Sequence, residues 1–134
     1  MDYIPRSLQV LLVEDNEGDV RLIKEAFSES KIDKTFSVAR DGEEALNYLY
    51  ARGKYADRTK PDIILLDINL PKKNGFEILE SIKNDPVLKK IPVIMLSSSS
   101  SEEHVTKSYD LNASCYVTKP VDFDEYTQAV KIIE

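Results

Sequence analysis

Cysteine is nearly absent. Cys115 stands alone in 134 residues, so no internal disulfide can form, which predicts a reducing, cytoplasmic setting. Histidine is as scarce. His104 alone leaves no Cys/His set of the kind that holds zinc, and it falls at an expected exposed helix start, where it is not assigned as a ligand. No apolar run approaches the roughly 20 residues that cross a bilayer, and residues 1–7 lack the basic-then-apolar pattern of a signal peptide. Basic residues are in deficit, 18 against 24 acidic, and the net charge of −6 argues against non-specific nucleic-acid binding through a basic face. A protein partner is left open. Repeats and dividing linkers are also missing. The length suits one domain with a real core, residues 1–134, preceded by an arm over 1–7.

What is present is an alternation of strand and helix. Leu8–Val13 (LQVLLV) reads as a buried strand that runs into the acidic Glu14-Asp15-Asn16-Glu17. Asp19–Ser30 follows, with Val20, Ile23, Ala26 and Phe27 at helical spacing. Thr35–Ala39 is a second strand. Asp41-Gly42 opens a second helix with Ala45, Leu46, Leu49 and Tyr50 on one face. Residues 51–61 (ARGKYADRTKP) are polar, basic and without period, a solvated loop. Ile63–Asp67 is the central strand, apolar at successive positions and so covered on both faces. Pro71 forbids its continuation, and Lys72-Lys73-Asn74-Gly75 is turn chemistry, with Gly75 expected in a left-handed turn. Phe76–Ile82 is a third helix and Pro92–Leu96 a fourth strand. The serine run 97–101 ends in the cap of a fourth helix. Ser114–Thr118 is a fifth strand, and Phe123–Ile133 a fifth helix. Tyr126, Val130 and Ile133 on that helix suit either burial against the sheet or an exposed stripe that would make a homodimer.

Strand-helix repeated five times predicts an α/β, doubly wound (βα)5 flavodoxin-like sandwich. In the parallel sheet order 2-1-3-4-5, strand order reverses between strands one and three, and ligands bind outside the carboxyl ends at that point. Glu14, Asp15 and Asp67 would meet there, with Ser97 and Lys119 at the ends of strands four and five. Clustered carboxylates repel, and a hard divalent cation relieves them. Mg²⁺ takes oxygen ligands and keeps several waters, leaving room for a phosphoryl oxygen. Lys119 adds a compact positive charge and Ser97 a hydroxyl, a set suited to phosphoryl transfer. Each residue also has a plainer reading. Asp67 alone could be a helix cap, Lys119 a surface lysine and Tyr116 a filler beside the sheet.

Glu14-Asp15, Asp67 with Ile68-Asn69-Leu70-Pro71, Gly75, Ser97, Tyr116 and Lys119-Pro120 together resemble the receiver domains of two-component response regulators. The resemblance runs through nearly the whole chain in order and spacing. The basic stretch before TKPDIILLDINLP is similar to that of single-domain receivers associated with bacterial phytochromes. The resemblance implies that Asp67 is the phosphoacceptor, charged by a histidine kinase that would be of the phytochrome type. It implies that Asp15 binds Mg²⁺ directly, Glu14 through water and Asn69 through its backbone carbonyl. Lys119 would pair with Asp67 and then the phosphate, with a cis bond to Pro120. Ser97 would bind the phosphoryl oxygen, and Tyr116 would turn inward as Ser97 moves. The chain would then be a stand-alone switch rather than a turnover enzyme, assisting its own phosphoryl transfer and autodephosphorylation. A downstream protein would read the face of the fourth helix, fifth strand and fifth helix.

Three rivals make different demands. A small Mg²⁺-dependent phosphatase with an aspartate nucleophile needs a second Asp as acid/base, and position 69 is Asn. A flavodoxin-like flavin binder needs a phosphate-cradling loop after the first strand, where this chain has repelling acids. A phosphorylation-independent module of receiver shape would bind its partner without any adduct.

Overall fold

The computed structural model describes residues 7–28, 33–98 and 101–119. Among them, five parallel strands form one sheet in the order β2-β1-β3-β4-β5. The strands are β1 (Leu8–Val13), β2 (Lys34–Ala39), β3 (Ile63–Asp67), β4 (Val93–Ser97) and β5 (Cys115–Thr118). Between them run α1 (Glu17–Ser28), α2 (Gly42–Leu49), α3 (Gly75–Lys83) and α4 (Glu102–Asp110). The expected fifth helix, its Tyr126, Val130 and Ile133, and the Lys119-Pro120 bond lie outside the described residues.

The apolar runs are explained by two cores. Side chains alternate across a strand, so Leu11, Val13, Ile64, Leu66, Val93 and Met95 face one side, against Ala45 and Leu49 of α2 and Ile78, Leu79 and Ile82 of α3. Val10, Leu12, Ile63, Leu65, Ile94 and Leu96 face the other, against Val20, Ile23 and Phe27 of α1. Each fully buried aliphatic side chain contributes about 1.5–3 kcal/mol. β3 and β4 are each buried at all five positions, which makes them the least tolerant strands of the sheet.

Helix starts follow their caps. Asn16 Oδ1 accepts from the Asp19 amide at 3.0 Å, so α1 begins at Glu17, two residues before the sequence-based expectation. Asp41 Oδ1 accepts from Glu44 N at 2.8 Å and Asn74 Oδ1 from Glu77 N at 3.0 Å. Such a cap contributes about 1 kcal/mol.

Four expectations are corrected. Helix α2 ends at Leu49, so Tyr50 caps it and is exposed, while Tyr48 takes the inward position and donates its hydroxyl to Ser37 Oγ at 3.1 Å. The 51–61 loop is not simply solvated. It contains a 3-10 turn at Gly53–Tyr55, and Arg58 folds back to donate to the carbonyls of Tyr48 (2.9 Å) and Leu49 (2.7 Å), satisfying the end of α2 where a cation suits the helix dipole. Gly75 is not left-handed. Lys72 takes that conformation, with φ 67°, and Gly75 opens α3. His104 is half-buried rather than exposed, its ring edge-on to Phe76 at 5.7 Å.

Candidate phosphoacceptor and metal site

Register brings the acids together. Val13 lies opposite Leu66 in the β1–β3 pair, so the next residues, Glu14 and Asp67, emerge side by side at the carboxyl edge. One oxygen each from Glu14, Asp15 and Asp67 fall within 4.8 Å of one another. Glu14 is 1% exposed and Asp67 5%, while Asp15 opens to solvent. Local amides hold the two buried carboxylates. Asn16 N donates to Glu14 Oε1 at 3.1 Å and Asn69 N to Asp67 Oδ1 at 3.2 Å. Asn69 itself is exposed in the loop beyond β3.

Lys119 enters from the far end of the sheet. Its amide donates to the Ser97 carbonyl at 2.7 Å, which fixes it just past β5 beside the end of β4. Its Nζ donates to Glu14 Oε2, to Asp19 Oδ2 at 3.0 Å and to Asp67 Oδ2 at 3.3 Å. Ser97 is fully buried and is the last residue of β4 rather than the first after it. Tyr116 lies opposite Met95 on β5 and packs, partly buried, on the core that α2 and α3 cover.

From sequence Asp19 is only the first residue of the expected helix, with no place in the site. Its available signal is its place in the first turn of the helix that follows the Glu14-Asp15 pair. Its partner lies 100 residues away, which no local pattern announces.

Burial and neighbouring charge displace the titration of both Glu14 and Lys119. Burial, and after it the nearby Asp67 charge, push Glu14 up to about 7 despite the hydrogen bond from Lys119. For Lys119 burial pulls the other way, but the bonds to Glu14 and Asp19 and the charge of Asp67 prevail and raise it. Both shifts favour a bound proton at this edge, that of Glu14 through burial first and that of Lys119 through its carboxylate partners. A hard, oxygen-seeking divalent cation fits this donor set, since it supplies the missing positive charge where three carboxylate oxygens converge.

Gly75 explains how the edge is held. Its amide donates to the Ile68 carbonyl at 2.8 Å, which draws the start of α3 against the backbone just past Asp67. A Cβ there would lie 2.7 Å from Ile68 Cα and nearer still to the Asp67 carbonyl oxygen. Glycine is required by close approach, not by φ.

The family model described as the response regulator receiver domain matches residues 10–131. The chain belongs to the response regulator receiver family. This receiver is 43% identical over 125 residues to response regulator Rcp1 of Synechocystis sp., covering 93% of this chain and 85% of Rcp1. A solved Mn²⁺-bound form of Rcp1 superposes with a TM-score of 0.81 at 42% identity, covering 95% of this chain and 91% of that one. The phosphorylated cyanobacterial phytochrome response regulator RcpA is 48% identical, with a TM-score of 0.83 over 96% of this chain and 92% of its own. The bacteriophytochrome response regulator AtBRR is 40% identical, with a TM-score of 0.86 over 96% and 94%. The receiver is thus a two-component signal-transduction protein of the kind linked to phytochromes. No helix among its described residues is long and apolar enough to cross a membrane.

Proposed function

We propose that Asp67 accepts a phosphoryl group from the phosphohistidine of a histidine kinase, with Mg²⁺ at Glu14, Asp15, Asp67 and the carbonyl of Asn69. A carboxylate oxygen of Asp67 attacks phosphorus as the P–N bond breaks, and the departing imidazole nitrogen keeps the electron pair and takes a proton. Bound Mg²⁺ would supply charge neutralisation on the transferring oxygens. Lys119 Nζ, 3.3 Å from Asp67 Oδ2, follows the charge as it moves onto the phosphoryl oxygens. The Ser97 hydroxyl would donate to one of them. Hydrolysis of the acyl phosphate by an in-line water returns the carboxylate. The observation that carries this reading is one carboxylate, Asp67, joined both to the acidic cluster and to Lys119.

A phytochrome-type kinase is the favoured donor, since phytochrome regulators are similar along most of both chains. The test follows labelled phosphate from such a kinase. Label should pass to the receiver, and a divalent-cation chelator should stop it. Retention on the kinase with every phytochrome-type donor tried would contradict the assignment, and turnover of excess phosphate ester would favour the phosphatase reading.

Output would run through Ser97, the last residue of β4, and Tyr116 on the adjacent β5, toward the face of α4 and β5. Ser97→Ala combined with Tyr116→Ala should slow phosphorylation, through loss of the Ser97 hydroxyl, and should remove capture of the downstream protein even by the phosphorylated form. Unchanged capture would eliminate this relay.

A further inference from the structure

Lys119 donates to two carboxylates that a metal would claim and to one that it would not. Glu14 and Asp67 belong to the oxygen cluster, whereas Asp19 stands outside it. An incoming divalent cation therefore competes with the ammonium for Glu14 and Asp67, and two positive centres crowd one edge. Asp19 is built to relieve this. It rises from the first turn of α1, fixed by the bond from its amide to Asn16 Oδ1. Its carboxylate already lies at 3.0 Å from Nζ, nearer than that of Asp67. Its side chain is 33% exposed, so it can move with the ammonium. The other acid of that turn, Glu17, is engaged with Arg40 at the rim.

We propose that Asp19 is a positioning residue that draws the Lys119 ammonium off Glu14 when a divalent cation enters, so that lysine and metal share the site instead of competing for it. The inference rests on the reading of Glu14, Asp15 and Asp67 as a metal site. Without Asp19 the ammonium remains on Glu14 and opposes the metal.

The test is a calorimetric titration of the unphosphorylated protein with Mg²⁺ at pH 8 in a double-mutant cycle. Asp19→Ala should weaken Mg²⁺ binding about fivefold, within the usual coupling of groups in one ion-pair network. Lys119→Ala should strengthen binding, because the competitor is gone. In the Lys119→Ala background, Asp19→Ala should change nothing further. Equal weakening in both backgrounds would mean that Asp19 acts as a bulk charge, and no weakening in either would mean that it is idle. Both results overturn the inference and leave the metal site standing. No Mg²⁺ binding by the wild type would overturn both. Should Lys119→Ala fail to fold, repeating Asp19→Ala at high salt decides the point. A through-space effect at this exposed side chain is screened away, whereas a contact effect persists.

Discussion

Gly75→Ala should destabilise the receiver by about 1–2 kcal/mol, although it places alanine at the start of a helix. Alanine is otherwise favoured by up to about 1 kcal/mol, because its unfolded chain has less conformational freedom to lose. Against this stands a Cβ 2.7 Å from Ile68 Cα and 3.0 Å from the Asp67 carbonyl carbon, with the Asp67 carbonyl oxygen closer again. The obstruction is backbone, so no rotamer relieves it. Overpacking of this kind costs about 1–3 kcal/mol and occasionally more. Either α3 retreats and weakens the Gly75–Ile68 hydrogen bond, or the end of β3 moves. The second route displaces Asp67, so Mg²⁺ affinity should fall along with stability. Urea unfolding gives the first quantity and calorimetry the second. An alanine variant as stable as wild type would show that the approach of α3 to β3 is not as close as described.

Lys119→Ala should have two large effects of different origin. Phosphoryl transfer to Asp67 should slow about 100-fold, the usual cost of removing one preorganised group from developing oxyanion charge. Stability should fall as well, by an amount set by pH. Truncating one partner of a buried ion pair costs about 3–5 kcal/mol when the other keeps its charge, but Glu14 can take up a proton instead. In the wild type Glu14 is already raised from 4.5 to about 7 by burial and Asp67, and loss of the ammonium raises it further. A carboxyl group whose folded-state value is raised contributes stability that is complete below its unfolded value and is lost as pH rises through the folded one. Metal-free wild type should therefore lose stability between about pH 4.5 and 7, in the window of that shift. The alanine variant should lose more, with the loss extending above pH 7. Saturating Mg²⁺ should restore the variant at pH 8, where Glu14 is free to ligate. Thermal melting across that range, with and without Mg²⁺, separates these contributions. A variant equally destabilised at pH 5 and pH 8 would remove Glu14 from the explanation.

Much of this arrangement was legible in the sequence because it depends on short-range regularities. LQVLLV and IILLD are apolar at consecutive positions, and only a strand covered on both faces accepts that, which is what the two cores show. The parallel sheet followed from strand-helix alternation, its order is the flavodoxin-like one expected, and the positions of Glu14, Asp15, Asp67, Ser97 and Lys119 followed from their places at strand ends. Where the reading failed, a tertiary contact or a single-residue boundary decided. Tyr48 and Tyr50 both lie near the apolar stripe of α2, and only the helix ending at Leu49 turns one in and the other out. His104 carries every mark of an exposed helix start, yet Phe76 of α3 packs against it. Gly75 follows a run of turn residues, but the left-handed position fell to Lys72 and the glycine serves a helix pressed on a strand. Asp19 meets Lys119 and Arg58 meets the end of α2 only once the chain is folded.

The central claim is that Asp67 carries the phosphoryl group and that a divalent cation is needed to place it there. Intact-protein mass after incubation with a small acyl phosphate tests it most directly, with and without Mg²⁺, beside Asp67→Asn. A single phosphoryl adduct that requires Mg²⁺ and is absent in the asparagine variant is the predicted result. An adduct that persists in Asp67→Asn, or a folded, Mg²⁺-binding wild type that takes up no phosphoryl group, would contradict it.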